Sequence, residues 1–328
     1  RIYGYNTIES TLFYSKIKEG MLTPKQKFVK GIHSVLCSLG MYETYTFSFI
    51  SPKYYDKIML DAADKRRKNV VISNPLGEDT SVMRTTALPS MLEVIARNES
   101  FGNAVCDFYE TATVYLPNED KTKLPFENLQ IVAASLCKKN DDRAFFRLKG
   151  KMDALLDFAN IKAEYVPTSR EPYFHPGRQA DVTVEGRKIA TIGQIHPSVC
   201  ENYGISGTCC AVEIDGEALF ELRKNAAKQY TPLPKFPAST RDLALVCDEK
   251  TTVGEIENVM REAGGKLLED IRFFDVYRSE ALGKDKKSLA FSLVLRAKDK
   301  TLTDEDVDRP MAKILKALEE KFGAYLRK

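Results

Sequence analysis

The stretch FFDVYRSEALGKDKKSLAFSLVLRA, residues 273–297, holds two strand-like runs joined by a charged loop. Side chains alternate between the faces of a strand, so each run sorts into two sets. Phe274 and Val276, then Leu289, Phe291, Leu293 and Leu295, are large and apolar and are expected to face a core. The other set is Phe273, Asp275 and Tyr277 with Ser288, Ala290 and Ser292. Aromatics, a carboxylate and small residues together do not make a core.

Working outward, RDLALVCDE and LLEDIRFFDVYRS read as strands around TVGEIENVMREAG, a helix with Thr252 at its N-cap. KKSLAFSLVLRA is the next strand, a helix begun by Thr303 follows, and GAYLR closes as a short strand. Pro310 predicts a kinked first turn or a late start for that helix. The order β-α-β-β-α-β is the ferredoxin-like arrangement, in which both helices cover one face of a four-stranded antiparallel sheet. Leu243, Leu245 and Cys247 then join the core set, and Asp242, Ala244, Val246 and Arg296 join the open face. Small residues permit close approach, aromatics offer stacking platforms and polar groups can read base edges. Such a face suits single-stranded RNA, at about 1–3 kcal/mol per stacked base. A solvated face, or one covered by protein, has the same composition. Residues 240–328 carry 18 Lys+Arg and 18 Asp+Glu, which argues against strong non-specific phosphate binding. Locally, Lys284, Lys286 and Lys287 cluster beside Ser288.

A chain of 328 residues has room for two domains, and QYTPLPKFPAS (229–239), with three prolines, reads as a semi-rigid linker dividing it. In the first part, Thr23, Pro24 and Gln26 open a helix over 24–39 by a capping box. TYTFSFIS, 104–116, 129–137 and 209–215 read as strands, 148–161 as a helix, and 179–196 as a hairpin turning at Glu185–Gly186. The expected fold is α+β with a mixed, mainly antiparallel sheet. A net charge of +3 gives no long-range basic field. No run approaches the ~18–20 apolar residues of a membrane span, and there is no signal-peptide pattern. The seven cysteines are scattered without a CxxC and are expected reduced and mostly buried, with Cys209 and Cys210 on opposite strand faces. With three histidines and no Cys/His ligand spacing, no metal site is expected. The opening RIYGYNTIES, without methionine, suggests a piece of something longer.

RDLALV, FFDVY, KKSLAF and TLTDEDV stand in the order and spacing of the ferredoxin-fold anticodon-binding domain of phenylalanyl-tRNA synthetases, over 240–328. NPLGEDTSVMRTTALPSMLEVIARN, DFYETATVY, FHPGRQA and IGQIHPSV resemble the catalytic-like module of the bacterial β subunit, over 21–228, and residues 1–20 the tail of a preceding helical module. The resemblance implies the C-terminal part of such a subunit. It implies tRNA anticodon contacts at Ala244, Asp275, Tyr277 and Ser288, with Tyr277 stacking and Asp275 and Ser288 hydrogen-bonding. Arg241, Lys287 and Arg296 are added as phosphate contacts without a family motif to place them.

A class II active site needs an arginine on its second-motif strand and another in a Gly-rich third motif, to hold ATP phosphates. CDFYETATVY has Glu110 but no arginine, and no GxGxGxxR occurs. The expectation is therefore a non-catalytic chain with no cofactor of its own. ATP and Mg²⁺ would sit in a catalytic α subunit, within a cytoplasmic (αβ)₂ assembly that charges tRNA(Phe). The helix 24–39 and the strand after it resemble the first-motif element that makes such interfaces. A scaffold whose sheet face meets protein, and an enzyme with a displaced active site, are the alternatives. His175 and His196, each before proline, read as turn corners rather than acid–base groups. Arg84 reads as a surface or interface salt bridge before an anion site at the next helix start, and KRRK (65–68) as a solvated loop before a tRNA contact.

Overall fold

The computed structural model describes residues 1–17, 19–120, 122–223, 230 and 232–327. The chain separates into two compact units, Arg1–Ala227 and Lys228–Lys328. Of the expected linker, Gln229 and Thr231 lie outside the described residues, and its last residue, Ser239, already opens a strand. In the first twenty residues the regular structure described is one 3-10 turn, Tyr5–Thr7.

In the first unit α1 (Pro24–Ser38) begins where the Thr23 hydroxyl accepts from the Gln26 amide and the Gln26 side chain accepts from the Thr23 amide. β1 (Tyr42–Glu43), β2 (Phe49–Ile50), α2 (Tyr54–Lys57), β3 (Val82–Met83) and α3 (Leu88–Ser100) follow. Then come β4 (Cys106–Leu116), β5 (Phe126–Cys137), α4 (Ala144–Ala159), β6 (Glu164–Pro167), β7 (Phe174–Val184), β8 (Arg187–Ile195), α5 (Pro197–Tyr203), β9 (Thr208–Asp215) and α6 (Gly216–Arg223). Seven strands form one sheet in the order β1-β4-β5-β9-β8-β7-β6, antiparallel except for the β1/β4 pair. Glu185 and Gly186 both take positive φ, 49° and 80°, as a two-residue hairpin turn with right-handed strand twist requires.

Both faces of this sheet are covered. Ile131 and Ala133 of β5 pack with α1 and α4, while Val132, Ala134 and Leu136 pack with α3 and α5. The same alternation sends Cys210 into the first core and Cys209 into the second. Burial pushes the Cys200 and Cys210 thiols up to about 12, so at neutral pH they stay protonated. Gly31, in mid-α1, lacks the side chain that would collide with the Phe158 ring of α4; a Cβ there would lie 2.2 Å from Phe158 Cζ.

Two expectations change. TYTFSFIS is not one strand: it pairs only through Phe49 and Ile50, in β2. Between these and β1, the Thr44 amide and hydroxyl both donate to the Tyr109 carbonyl and the Thr46 hydroxyl donates to Glu110, so the segment is tied to β4 by one backbone bond and two side chains rather than by a continuous ladder. The helix expected over 148–161 begins at Ala144 and stops at Asn160, which adopts the left-handed conformation (φ 55°).

The second unit contains β10 (Ser239–Asp248), α7 (Val253–Gly264), β11 (Leu268–Tyr277), β12 (Lys286–Leu295), α8 (Asp304–Phe322) and β13 (Tyr325–Leu326). Its sheet runs β11-β12-β10-β13, all antiparallel. Thr252 and Thr303 open the two helices with capping boxes to Glu255 and Asp306. The second box fixes the start of α8 at Asp304, so Pro310 neither delays nor ends it. The two helices pack against Leu245, Leu289, Phe291 and Leu293, leaving the other face of the sheet open.

Candidate nucleic-acid interface

Strand register places the face residues in rows. Tyr277 pairs with Ser288, Ser288 with Val246, and Val246 with Tyr325. In the next row Asp275 pairs with Ala290 and Ala290 with Ala244, whose carbonyl accepts from the Arg327 amide at 2.8 Å. A third row joins Arg272, Ser292 and Asp242. The structure therefore brings Ala244, Asp275, Tyr277 and Ser288 together on one face.

The alternation needs one correction. Register shifts between Phe273 and Asp275, because Phe274 is an extra residue in β11. Phe273 consequently pairs with Phe291, their rings 5.5 Å apart, and belongs to the helix side rather than the open face. Phe274, expected in the core, is 59% exposed. A bulge in an edge strand resets the period by one residue, and nothing in an alternating pattern marks where it falls.

The three added basic residues are held elsewhere. Arg241 pairs across from Leu293 and binds Asp304 at 2.8 Å. Lys287 is buried opposite Cys247 and donates to the Glu249 carbonyl at 2.7 Å. Arg296 holds Glu269 and the Phe236 carbonyl, at 2.7 and 2.6 Å. Another cation occupies the face instead: the Arg327 guanidinium lies 5.0 Å from the centre of the Tyr277 ring. Arg327 ends the strand expected at GAYLR, but only the register of that strand on Ala244 places it beside this face.

On this face Tyr277 is 47% exposed, whereas Ser288 is 2% exposed. Asp275 is exposed, and neither its carboxylate nor the Ser288 hydroxyl has a hydrogen-bond partner among the described residues. The arrangement is an aromatic plate beside a free carboxylate above a floor of Ser288, Val246, Ala244 and Ala290, with the Arg327 cation reaching over it.

In the first unit Arg84 and the two arginines of KRRK are held by internal partners. Arg84 donates to Glu110 (2.9 Å), to the Thr46 hydroxyl (2.7 Å) and to the Thr113 carbonyl (2.9 Å), with Arg84 and Glu110 side chains only 3% and 2% exposed. It is thus a fully buried salt bridge, neither an anion site nor a surface pair. Arg66, inside KRRK, binds Asp64, Glu171 and the Tyr173 hydroxyl. Burial acts against its charge, but Asp64, with Tyr173 and Glu171, outweighs it and raises its pKa. Arg67 binds Asp56 and the carbonyls of Leu60 and Asp61, so both arginines of KRRK are staples. His196 caps α5 by accepting from the Ser198 amide, and His175 accepts from the Gly177 amide, each at 3.1 Å. Both are turn corners. No group of His, Cys, Asp and Glu able to hold a metal occurs among the described residues, and no described helix is long and apolar enough to cross a membrane.

Comparison with known proteins agrees with the geometry. The chain shares a fold with pyrrolysyl-tRNA synthetase of Desulfitobacterium hafniense, at a TM-score of 0.52 and 16% identity over 62% of this chain and 70% of that one. Residues 234–327 match the ferredoxin-fold anticodon binding domain. The chain is therefore a class II synthetase-like α+β unit followed by an anticodon-binding unit. Residues 8–216 match the phenylalanyl tRNA synthetase beta chain CLM domain, and the chain belongs to that family of synthetase β chains. It is 40% identical to the phenylalanine–tRNA ligase beta subunit of Clostridium tetani and 35% identical to that of Bacillus subtilis, along its whole length. It spans 41% of the length of each of these relatives.

Proposed function

We propose that this chain is the non-catalytic scaffold and anticodon platform of a phenylalanine–tRNA ligase. The observation that carries it is the open face of the second unit, where Tyr277, Asp275 and Ser288 converge over Ala244 and Ala290. A base stacked on Tyr277 would present its edge to Asp275. Guanine, with adjacent N1–H and N2–H donors, satisfies a carboxylate better than the other bases, and unpaired RNA exposes that edge.

The first unit supports a catalytic α subunit, which binds ATP and Mg²⁺ and performs the chemistry in a cytoplasmic (αβ)₂ enzyme acting on tRNA(Phe). Two features favour this reading. Arg66 and Arg84 are sequestered by carboxylates, and the segment after α1 exposes Tyr42, Tyr45 and Phe47, apolar surface suited to a subunit contact.

Tyr277→Ala tests the platform. Loss of one stacking contact should weaken tRNA binding by the assembled ligase by about 1–3 kcal/mol, roughly 5- to 150-fold, without lowering the melting temperature. Unchanged tRNA affinity would remove the platform. Unchanged affinity with a lost protein contact would establish the alternative, a sheet face that binds protein. Phenylalanine-dependent ATP–pyrophosphate exchange by this chain without an α subunit would refute the non-catalytic role.

A further inference from the structure

The Arg327–Tyr277 contact spans the whole sheet. Arg327 extends from the β13 edge and Tyr277 sits on β11, the opposite edge, with β10 and β12 between them. Three strand spacings of about 4.8 Å separate the two backbones. The side chains therefore meet above the middle strands, whose open-face residues here are Ser288, Val246, Ala290 and Ala244. That accounts for the burial of Ser288 on a face with no helix over it. Ala244 and Ala290 keep the floor low on one side of the bridge, and Val246, 1% exposed, lies under it beside Ser288.

The bridge stands where a base on Tyr277 would lie. A guanidinium 5.0 Å from the ring centre leaves no room for a base between them, since stacked planes need about 3.4 Å on each side. We propose that Arg327 is a displaceable RNA-binding residue: it holds Tyr277 in place in the free protein, is released when a base takes the ring, and then contacts an RNA phosphate. The magnitudes permit the exchange. An exposed cation–π contact is worth about 0.5–1 kcal/mol, less than the stacked base that replaces it. The freed cation is the one arginine the register places beside Ala244, and Arg241 and Arg296, tied to Asp304 and Glu269, cannot substitute.

This deepens the anticodon reading and depends on it, so the experiment measures both together. Binding of an anticodon stem-loop RNA by the assembled ligase is titrated across salt concentrations for the parent, Arg327→Ala, Arg327→Lys and Tyr277→Ala. Arg327→Ala should flatten the dependence of log K on log salt by about 0.7, one phosphate contact to a single strand. Arg327→Lys should keep the parent slope. In the RNA-free protein, Arg327→Ala should shift the Tyr277 ring resonances, reporting loss of the bridge. A parent slope in Arg327→Ala, or tighter binding with no change of slope, overturns the handover. If Tyr277→Ala also binds normally, the anticodon platform itself fails; if only Tyr277→Ala weakens binding, the platform stands and the role of Arg327 is refuted. Because only the amide of Arg327 takes part in the sheet, these substitutions leave its backbone pairing in place.

Discussion

Glu110→Gln is the sharpest test of the claim that the arginines of the first unit are structural. Glu110 and Arg84 are both almost wholly buried, and Thr46 bridges them by donating to Glu110 Oε2 at 2.7 Å while accepting from Arg84 Nη1. Glutamine preserves the shape and one acceptor but leaves the Arg84 charge uncompensated away from water. Breaking a buried ion pair from one side costs about 3–5 kcal/mol. In a unit of 227 residues each kcal/mol lowers the melting temperature by about 2–4 °C. The expected drop is thus roughly 6–20 °C by differential scanning calorimetry. Arg84→Met should cost a similar amount, because it strands the carboxylate instead. The double variant Arg84→Met/Glu110→Leu should recover much of the loss, since a buried pair replaced by apolar groups is often near neutral. A single-variant loss under about 1 kcal/mol, or a double variant as unstable as the sum of the singles, would refute the closed network and reopen Arg84 as a ligand-binding group.

Three further outcomes follow from the fold. Lys300, together with the Thr303 amide, holds the Asp306 carboxyl down at about 2. Its contribution to stability is complete above the ordinary carboxylate pKa near 4 and disappears as pH falls to about 2, so Asp306→Asn should flatten the acid limb of the second unit's unfolding curve in that window; an unchanged limb would exclude the cap. Gly31→Ala should destabilise the first unit by about 1–3 kcal/mol through overpacking against Phe158, despite alanine's better helix propensity, and a stabilised variant would show that the ring moves aside freely. Thr23→Ala removes the α1 capping box and should cost about 0.5–2 kcal/mol in chemical denaturation, with no loss placing the start of α1 under other control.

How much of this was legible in the sequence differs between the units, for physical reasons. In the second unit local rules and tertiary structure agree: Thr252 and Thr303 cap helices, and alternation sorts Leu289, Phe291 and Leu293 from Ser288, Ala290 and Ser292. The failure at Phe273 and Phe274 has a single cause. Alternation carries no information about a bulge, and one inserted residue exchanged the faces of two aromatics while sparing Asp275 and Tyr277 beyond it. In the first unit the short β6 and α5 carry too few residues for a period to show. Arg84 and Glu110 are joined only through tertiary structure, across a helix and a turn.

The same limit explains the cation. Arg241, Lys287 and Arg296 are basic residues lying close in sequence to the open-face set. A sheet edge instead supplies neighbours by register, and the residue opposite Ala244 lies more than eighty positions away, one step past the last strand. Each of the three nearer cations has a carboxylate or carbonyl within 2.8 Å that fixes it. Arg327 has an aromatic ring, a contact an incoming base can take over at little cost. On the proposal above, what distinguishes a binding cation from a structural one is the exchangeability of its resting partner, a property that position in the sequence does not record.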